Sequence, residues 1–511
     1  MEWPLRASEH AAAGQRRREL TRLRHSSEAE TVHPDDRADD LRSSGLFTRF
    51  VLIGIGVWLH AADSLVTATI APALVEDLGG IAYINWTISL YQVGAIIAGA
   101  AAAVMCSRWG IKRVFIGATV IYGGGCVLGA VAASMGVLVA ARFVQGMGGG
   151  MLLSLCYVAI EAWFAPRLWA RLFAFVATIW GGGSLLGPLI GAAFSGVHVW
   201  RGAFWAFAGQ AAVLCGLAIL LLPRTATASP RPTGRRWPVL PLLALSAATL
   251  IIAEAGAVVG DAQGGIKSLI AFLLGIGLLY LAARLDRRAQ VRLLPARLLD
   301  VRHTVGAGLL MVFALAAGTT GFWAYGPLIL KILFDTKPLV TGYILAGEAI
   351  AWSLATMAAA AATPADDLRL IRGGAVAIAI GAAGFAITVP AGSLAGTVAC
   401  ALLQGAGFGV CWPAVVQRTV RFSDPAERSL ASASVSTVQR IGYAVGTAAV
   451  GIAANLSGLA EGVSAAAAKT AGFWVFAAFI PVLMIGLWGA WRFTAKFAAL
   501  SACANSPSRG S

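Results

Sequence analysis

Apolar residues in this chain recur in long unbroken blocks. They follow neither the alternation of a half-buried strand nor the one-sided stripe of a soluble helix. Each block runs about 20 residues, the length a helix needs to cross the hydrocarbon of a bilayer. About fourteen such blocks are present, near 50–71, 86–106, 114–135, 137–161, 172–194, 204–222, 239–259, 269–283, 305–330, 341–362, 374–389, 394–416, 431–454 and 473–491. The pattern predicts an all-α polytopic membrane protein. Residues 1–46 are polar and mixed in charge, with QRRRELTRLR before PDDRADD. They have no apolar core of a secretory leader and are expected to be a disordered cytoplasmic tail. The stretch RTATASPRPTGRRW reads as a linker from its Pro, Gly and Thr.

One block organises the rest. Residues 141–161, ARFVQGMGGGMLLSLCYVAIE, carry Arg142 and Gln145 near one end, Glu161 at the other and Gly146, Gly148, Gly149 and Gly150 between. An arginine inside an apolar span must face protein or water, and closely spaced glycines let neighbouring backbones approach. The pattern returns about 259 residues later as Gln404, Gly405, Gly407 and Gly409. At the same offset Gly183 and Gly187 match Gly442 and Gly446, and Arg113 matches Arg372. Two parallel halves follow, as in duplicated transporters. The expected division is a six-helix half over 47–222, a cytoplasmic linker over 223–238, two inserted transmembrane helices over 239–284, a basic cytoplasmic loop over 285–303, a second six-helix half over 304–494 and a cytoplasmic tail over 495–511.

Composition narrows the class. The chain is 58% hydrophobic and 12% charged, far below the roughly 25% charge of soluble domains. Its net charge of +15 does not point to nucleic acid, because the arginines sit in alternate loops. Arg108, Lys112 and Arg113, then Arg224 to Arg236, then Arg284 to Arg302, then Arg418 to Arg428 fall on one side. This positive-inside distribution places both termini in the cytoplasm of a cell inner (plasma) membrane. The seven cysteines fall mostly inside apolar blocks and read as buried thiols. The histidines show no ligand spacing, so neither a metal nor a cofactor is expected. A nucleotide-binding loop in GMGGGM is disfavoured, since it would follow a strand and open a helix.

Several polar side chains sit within the apolar blocks. His60, Asp63, Ser64 and Thr67 share one helical face and should line a central cavity. Asp63 lies about 20 Å from the inner boundary by helix rise. An ionisable group there is a candidate for proton coupling. Glu348 shares a face with Thr341 and Trp352, and an acid beside an aromatic suits a cationic or amphipathic solute. Ser436, Gln439, Arg440 and Tyr443 share another face. Arg440 and Glu348 fall at similar depth, about 16 Å from the inner side for Arg440, so Arg440 is expected to neutralise a cavity carboxylate in one state. Arg142 is expected to tune a proton site. Trp323, Tyr325 and Trp352 are candidates for the cavity wall, together with Gln145. Glu161 is expected to pair with Arg108 or Arg113 as a closing latch.

At this point four motifs carry a resemblance. The sequence ADSLVTATIAPAL, the loop SRWGIKR, the run from Arg142 through Gln145, Gly146 and Gly148, and the run Gly183, Gly187, Pro188 and Gly191 resemble those of the major facilitator superfamily, fourteen-span drug:proton antiporter type. The resemblance covers nearly everything from Phe50 to the last helix. It implies the major facilitator fold with two pseudo-symmetric six-helix halves and two inserted helices. It implies an acidic carrier at Asp63, gating by the loop with Arg108, Gly110 and Arg113, and export through the Gly183–Gly191 elbow. In the loop signature the usual Gly and Asp are replaced by Ala103 and Ser107, so the acidic partner of that gate is missing.

The function expected is secondary active transport, a proton-coupled efflux of small amphipathic or drug-like molecules by alternating access. Its partners are a small-molecule substrate, protons and the lipid bilayer, with the chain a monomer. An importer or metabolite exporter on the same scaffold is the alternative. An integral-membrane enzyme would need a nucleophile, metal or acid–base cluster at one membrane face, and the sequence shows none.

Overall fold

A backbone in hydrocarbon must satisfy its own N–H and C=O groups, so the apolar blocks fold as helices. In this computed structural model the described residues are 46–79, 84–196, 199–222, 238–257, 262–334, 336, 338–359, 362–363, 366–457 and 465–504. Two compact units divide the chain, Met1–Val51 and Leu52–Ser511. The described part of the first is residues 46–51, which are helical, and the second holds everything that follows. The expected tail over 1–46, apart from Leu46, and nearly all of the expected linker lie outside the described residues. The expected C-terminal tail is helical as far as Ala504.

The first half comprises α1 (Leu46–Leu78), α2 (Ile84–Trp109), α3 (Ile111–Ala130), α4 (Met135–Trp163), α5 (Pro166–Gly196) and α6 (Trp200–Leu221). Two helices follow, α7 (Val239–Ala257) and α8 (Ala262–Arg288). The second half comprises α9 (Thr304–Gly318), α10 (Thr320–Phe334), α11 (Pro338–Ala359), α12 (Asp367–Thr388), α13 (Leu394–Arg421), α14 (Arg428–Leu456), α15 (Ala465–Ala477) and α16 (Ile480–Ala504). Among the described residues, nine helices are long and apolar enough to cross a membrane.

Two expected spans are each broken in two. The block at 305–330 divides at Thr319, whose hydroxyl donates to the carbonyls of Leu315 and Ala316 at 2.9 and 3.1 Å. A hydroxyl that bonds back to the preceding turn competes with the helical ladder and bends it. The block at 473–491 divides at Ala478 and Phe479, because Pro481 in the next turn has no N–H to donate to the Ala477 carbonyl and sits only in the first turn of a new helix.

The repeat read from sequence has a packing basis. A Cβ at Gly146 would fall on the Tyr91 carbonyl and one at Gly150 on Ala95, both on α2, whereas Gly148 faces the Tyr122 backbone on α3. In the second half Gly405 faces the Glu348 carbonyl and Gly409 the Trp352 carbonyl, both on α11, and Gly407 faces Gly374 and Ile378 on α12. Each half therefore wraps a glycine-faced helix, α4 or α13, into the angle between two others. Glu348 takes in the second half the place Tyr91 takes in the first. Gly183 likewise rests on Ala61 of α1, and Gly442 and Gly446 rest on α9.

The inserted pair covers a junction between the halves. Leu245 and Ile252 of α7 and Ala282 of α8 share a buried apolar cluster with Ile96 and Ala100 of α2 and Ile441, Val445 and Ala448 of α14. Their other face is apolar and exposed, with Leu240, Leu243, Ile270, Leu273 and Leu274. Such a patch on a helix pair is covered by lipid. Glu254, for which a packing role is expected, is exposed on α7. The first part of the basic loop after α8 is held by three contacts. Asp286 accepts from the backbone N–H of Leu293 and Leu294 at 2.7 and 3.0 Å, and Arg292 donates to Glu427 at 2.9 Å. Leu293 and Leu294 pack against Val104 at the end of α2.

Candidate functional site

The polar face of α1 turns inward. His60, Asp63 and Thr67 are all buried. The Ser64 side chain, expected on the same face, lies outside the described residues. Thr67 turns back on its own helix and donates to the Asp63 carbonyl at 3.3 Å. Asp63 meets Arg142 from α4, whose Nη1 donates to both carboxylate oxygens at 3.0 Å. The same nitrogen donates to Gln145 Oε1 at 2.7 Å, and Nε donates to the Thr87 carbonyl at 3.3 Å. Gln145 passes the chain on to Cys126 Sγ at 3.1 Å. The guanidinium lies 4.1 Å from the centre of the Tyr91 ring.

Arg142 is 1% exposed and Gln145 0%. A charge partner, two further acceptors and a ring face together compensate the buried arginine. Removing the Asp63 charge therefore acts first on Arg142. Glycine makes the space: a Cβ at Gly149 would strike His60 Nδ1 and the Tyr91 hydroxyl.

The second half contributes Arg440 from α14. It does not pair with Glu348. Its Nη1 donates to Gln92 Oε1 at 3.0 Å and its Nη2 to His60 Nε2 at 2.5 Å, so the cation of one half is held by two neutral acceptors of the other. The expected neutralisation of a cavity carboxylate by Arg440 is not the arrangement seen here, because α14 lies against α2 and α4 of the first half. Gln439 and Tyr443 bond each other at 3.1 Å.

Glu348 is buried at a separate centre. Gln404 Nε2 donates to its Oε1 at 2.6 Å. Its Oε2, the Gln404 Oε1 and the Trp352 indole N–H are buried with no hydrogen-bond partner. Trp352 stacks on Phe408 at 4.8 Å and meets Trp412 edge-on. Trp323, 39% exposed, lies near the carboxylate. Tyr325 is elsewhere: it packs against the apolar cluster of Phe322, Ile329, Phe385 and Phe476, since two residues along a helix turns it from the Trp323 face.

The gating candidates are spread along the bundle. Gly110 closes the α2–α3 turn in the left-handed region with φ 80°, which favours glycine. Arg108 and Arg113 are exposed, and the neighbouring Lys112 donates to the Ile219 carbonyl of α6 and to that of Leu222, which caps it. Glu161 accepts from Ser429 of the second half at 2.8 Å, in place of the expected partners Arg108 or Arg113. The reason is geometric, since α14 begins beside the end of α4. One turn and more inward, Ser154 and Ser436 meet at 3.2 Å. Gly187 and Gly191 are buried, and the Pro188 side chain lies outside the described residues. Where α5 faces the other half, a Cβ at Gly181 would collide with Ser353 of α11.

Sequence reading missed Tyr91, Gln92, Gly181, Ser353 and Ser429. A signal existed for the first two, a polar pair in the middle of an otherwise apolar block. Nothing distinguishes Ser429 or Ser353 from ordinary helix serines.

The comparisons agree with this geometry. The family model described as Major Facilitator Superfamily matches residues 53–447. A "Probable multidrug-efflux transporter" of Mycobacterium tuberculosis is 30% identical over 445 residues, covering 84% of this chain and 91% of that protein. A "Multidrug resistance protein B homolog" of the same organism is 25% identical over 415 residues, covering 80% and 76%. Among solved structures, the human organic anion transporter MFSD10 superposes with TM-score 0.63 at 14% identity, covering 86% of this chain and 98% of that one. The proton:xylose symporter XylE superposes with TM-score 0.61 at 16% identity, covering 89% and 96%. The two glycine-faced half-bundles, the Asp63–Arg142 pair buried within the first of them and these matches together establish that the chain is a multi-pass membrane transporter of the major facilitator superfamily.

Proposed function

We propose that the chain is a proton-coupled exporter of small amphipathic, drug-like molecules, working by alternating access as a monomer. The observation that carries this reading is the Asp63–Arg142 pair. One proton on Asp63 removes the counter-charge of a fully buried guanidinium, and such an uncompensated charge forces rearrangement. A proton bound more tightly in one arrangement of the halves than in the other shifts their balance by that difference. The names of the curated relatives support efflux of multiple drugs. The contacts Glu161–Ser429, Ser154–Ser436 and Arg440–Gln92 join the halves and must part in each cycle. The division into two six-helix halves with an inserted pair is part of the same reading.

In cells stripped of their main exporters, expression of the chain is expected to lower the steady-state accumulation of ethidium. A protonophore should restore it. Unchanged accumulation across a panel of ethidium and other lipophilic dyes counts against efflux.

Glu348 is assigned to the solute. An acid with a free oxygen beside stacked aromatics suits a cationic, flat molecule. Glu348→Gln is expected to raise the KM for cationic dyes by about tenfold or more, with little effect on a neutral amphipath. Equal loss for both classes removes the carboxylate from recognition.

The membrane is a bacterial inner (plasma) membrane, with both termini on the cytoplasmic side. A cysteine placed at Gln290, in the arginine-rich loop, should then be silent to an impermeant thiol reagent in intact cells and reactive in inverted vesicles. Labelling from outside reverses the orientation.

A further inference from the structure

We propose that His60 is the element that couples protonation of the first half to release of the second, through a relay running Asp63–Tyr91–His60–Arg440. This rests on the proton-coupled reading above and adds a path and a latch to it.

The direction of the chain is fixed by chemistry. A guanidinium only donates, so His60 Nε2 must be the bare acceptor of Arg440. The ring hydrogen is then on Nδ1 and points to the Tyr91 oxygen 2.6 Å away. The Tyr91 hydroxyl hydrogen is left free to turn to the Asp63 carboxylate, which lies within its reach. The two rings are stacked, 5.4 Å apart at 13°, and Trp180 of α5 closes the imidazole edge-on at 5.7 Å. The groups facing His60 are Tyr91 from α2, Arg440 from α14 and Trp180 from α5. Arg142 from α4 and Asp63 on its own helix complete the charges around it.

A proton that arrives at Nε2 displaces Arg440, because the acceptor is consumed. The Nδ1 hydrogen then passes to Tyr91, and the Tyr91 hydrogen passes to Asp63. The balance is one proton taken up at the carboxylate. Tyr91 is unchanged and the imidazole now carries its hydrogen on Nε2. In that tautomer Nε2 is a donor facing a donor, so Arg440 cannot return. Gln92 is the other acceptor of Arg440 in the first half, and the Arg440 Nε is buried without a partner. Loss of the His60 bond therefore removes half of what holds this cation across the junction.

The test follows the distance between the halves, with no solute needed. Spin labels at Ala162 and Ala426, exposed residues near Glu161 and Ser429, report that end of the bundle in liposomes by pulsed electron resonance. In a background freed of accessible cysteines, the short distance should dominate at pH 8.5 and give way to a longer one at pH 5.5. His60→Gln keeps an acceptor for Arg440 but cannot shuttle a proton, so it should hold the short distance at both pH values. Arg440→Gln should lose dominance of the short distance at both, and Arg440→Lys should restore it in part. A His60→Gln protein that responds to pH as the wild type does overturns the proposal. So does a wild type with no response.

If His60→Gln will not fold, His60→Asn serves with the same expectations. Failure of the wider reading looks different: a wild-type distance that responds to pH through His60 while no gradient-driven dye flux exists leaves the latch standing and removes proton-driven export.

Discussion

Asp63→Asn is expected to abolish dye flux driven by a pH gradient, a loss of at least roughly tenfold, while exchange of dye without a gradient continues. The asparagine carbonyl still accepts from Arg142, which sits 3.0 Å from both native oxygens. The side chain resembles the protonated acid and cannot return to the charged form. The bundle is then biased to one arrangement and gains nothing from a gradient. The substitution also leaves Arg142 without a counter-charge in a buried site. Breaking one side of such a pair costs about 3–5 kcal/mol, so thermal stability should fall together with coupling. Asp63→Asn combined with Arg142→Gln separates the two effects. The double variant should recover most of the stability and none of the coupling. If coupling returns with stability, Asp63 is a structural carboxylate.

The second large effect is on folding. Gly146→Val should prevent accumulation of folded protein, and Gly405→Val should do the same. At each position the first added carbon falls on a backbone carbonyl, of Tyr91 or of Glu348, and a backbone atom cannot swing aside as a side chain does. Overpacking of this kind costs about 3 kcal/mol or more. Gly136 and Gly373, with open space around them, are the controls and should tolerate alanine. Yield and size-exclusion profile in mild detergent decide the matter. Normal yield of Gly146→Val means that α4 does not pack on α2 through its glycines.

Most of the architecture was legible because the bilayer leaves few choices. A block of about 20 apolar residues can hardly be anything but a spanning helix, and glycines repeated at one offset marked the two helices that each half wraps. The helix breaks at Thr319 and before Pro481 were not read, since apolar composition continues through both. The acid and the arginine of the central pair were each legible as costly charges in hydrocarbon. Their pairing was not, because sequence does not tell which helices adjoin. For the same reason the expected partners, a carboxylate for Arg440 in one state and a loop arginine for Glu161, are not those of this arrangement. Both residues instead hold neutral partners across the junction, Gln92 with His60 and Ser429. Tyr91 carried a signal as half of a polar pair with Gln92, but its role did not show, because it serves through its ring face and its hydroxyl together.

The most direct measurement is lumenal pH in proteoliposomes of purified protein, read with trapped pyranine after the lumen is made acid. On addition of ethidium outside, the wild type should pass protons out as dye enters, and the lumen should turn alkaline. Asp63→Asn liposomes should show no change beyond leak. Dye entry with lumenal pH unmoved, or equal alkalinisation in Asp63→Asn, would contradict proton-coupled export through Asp63.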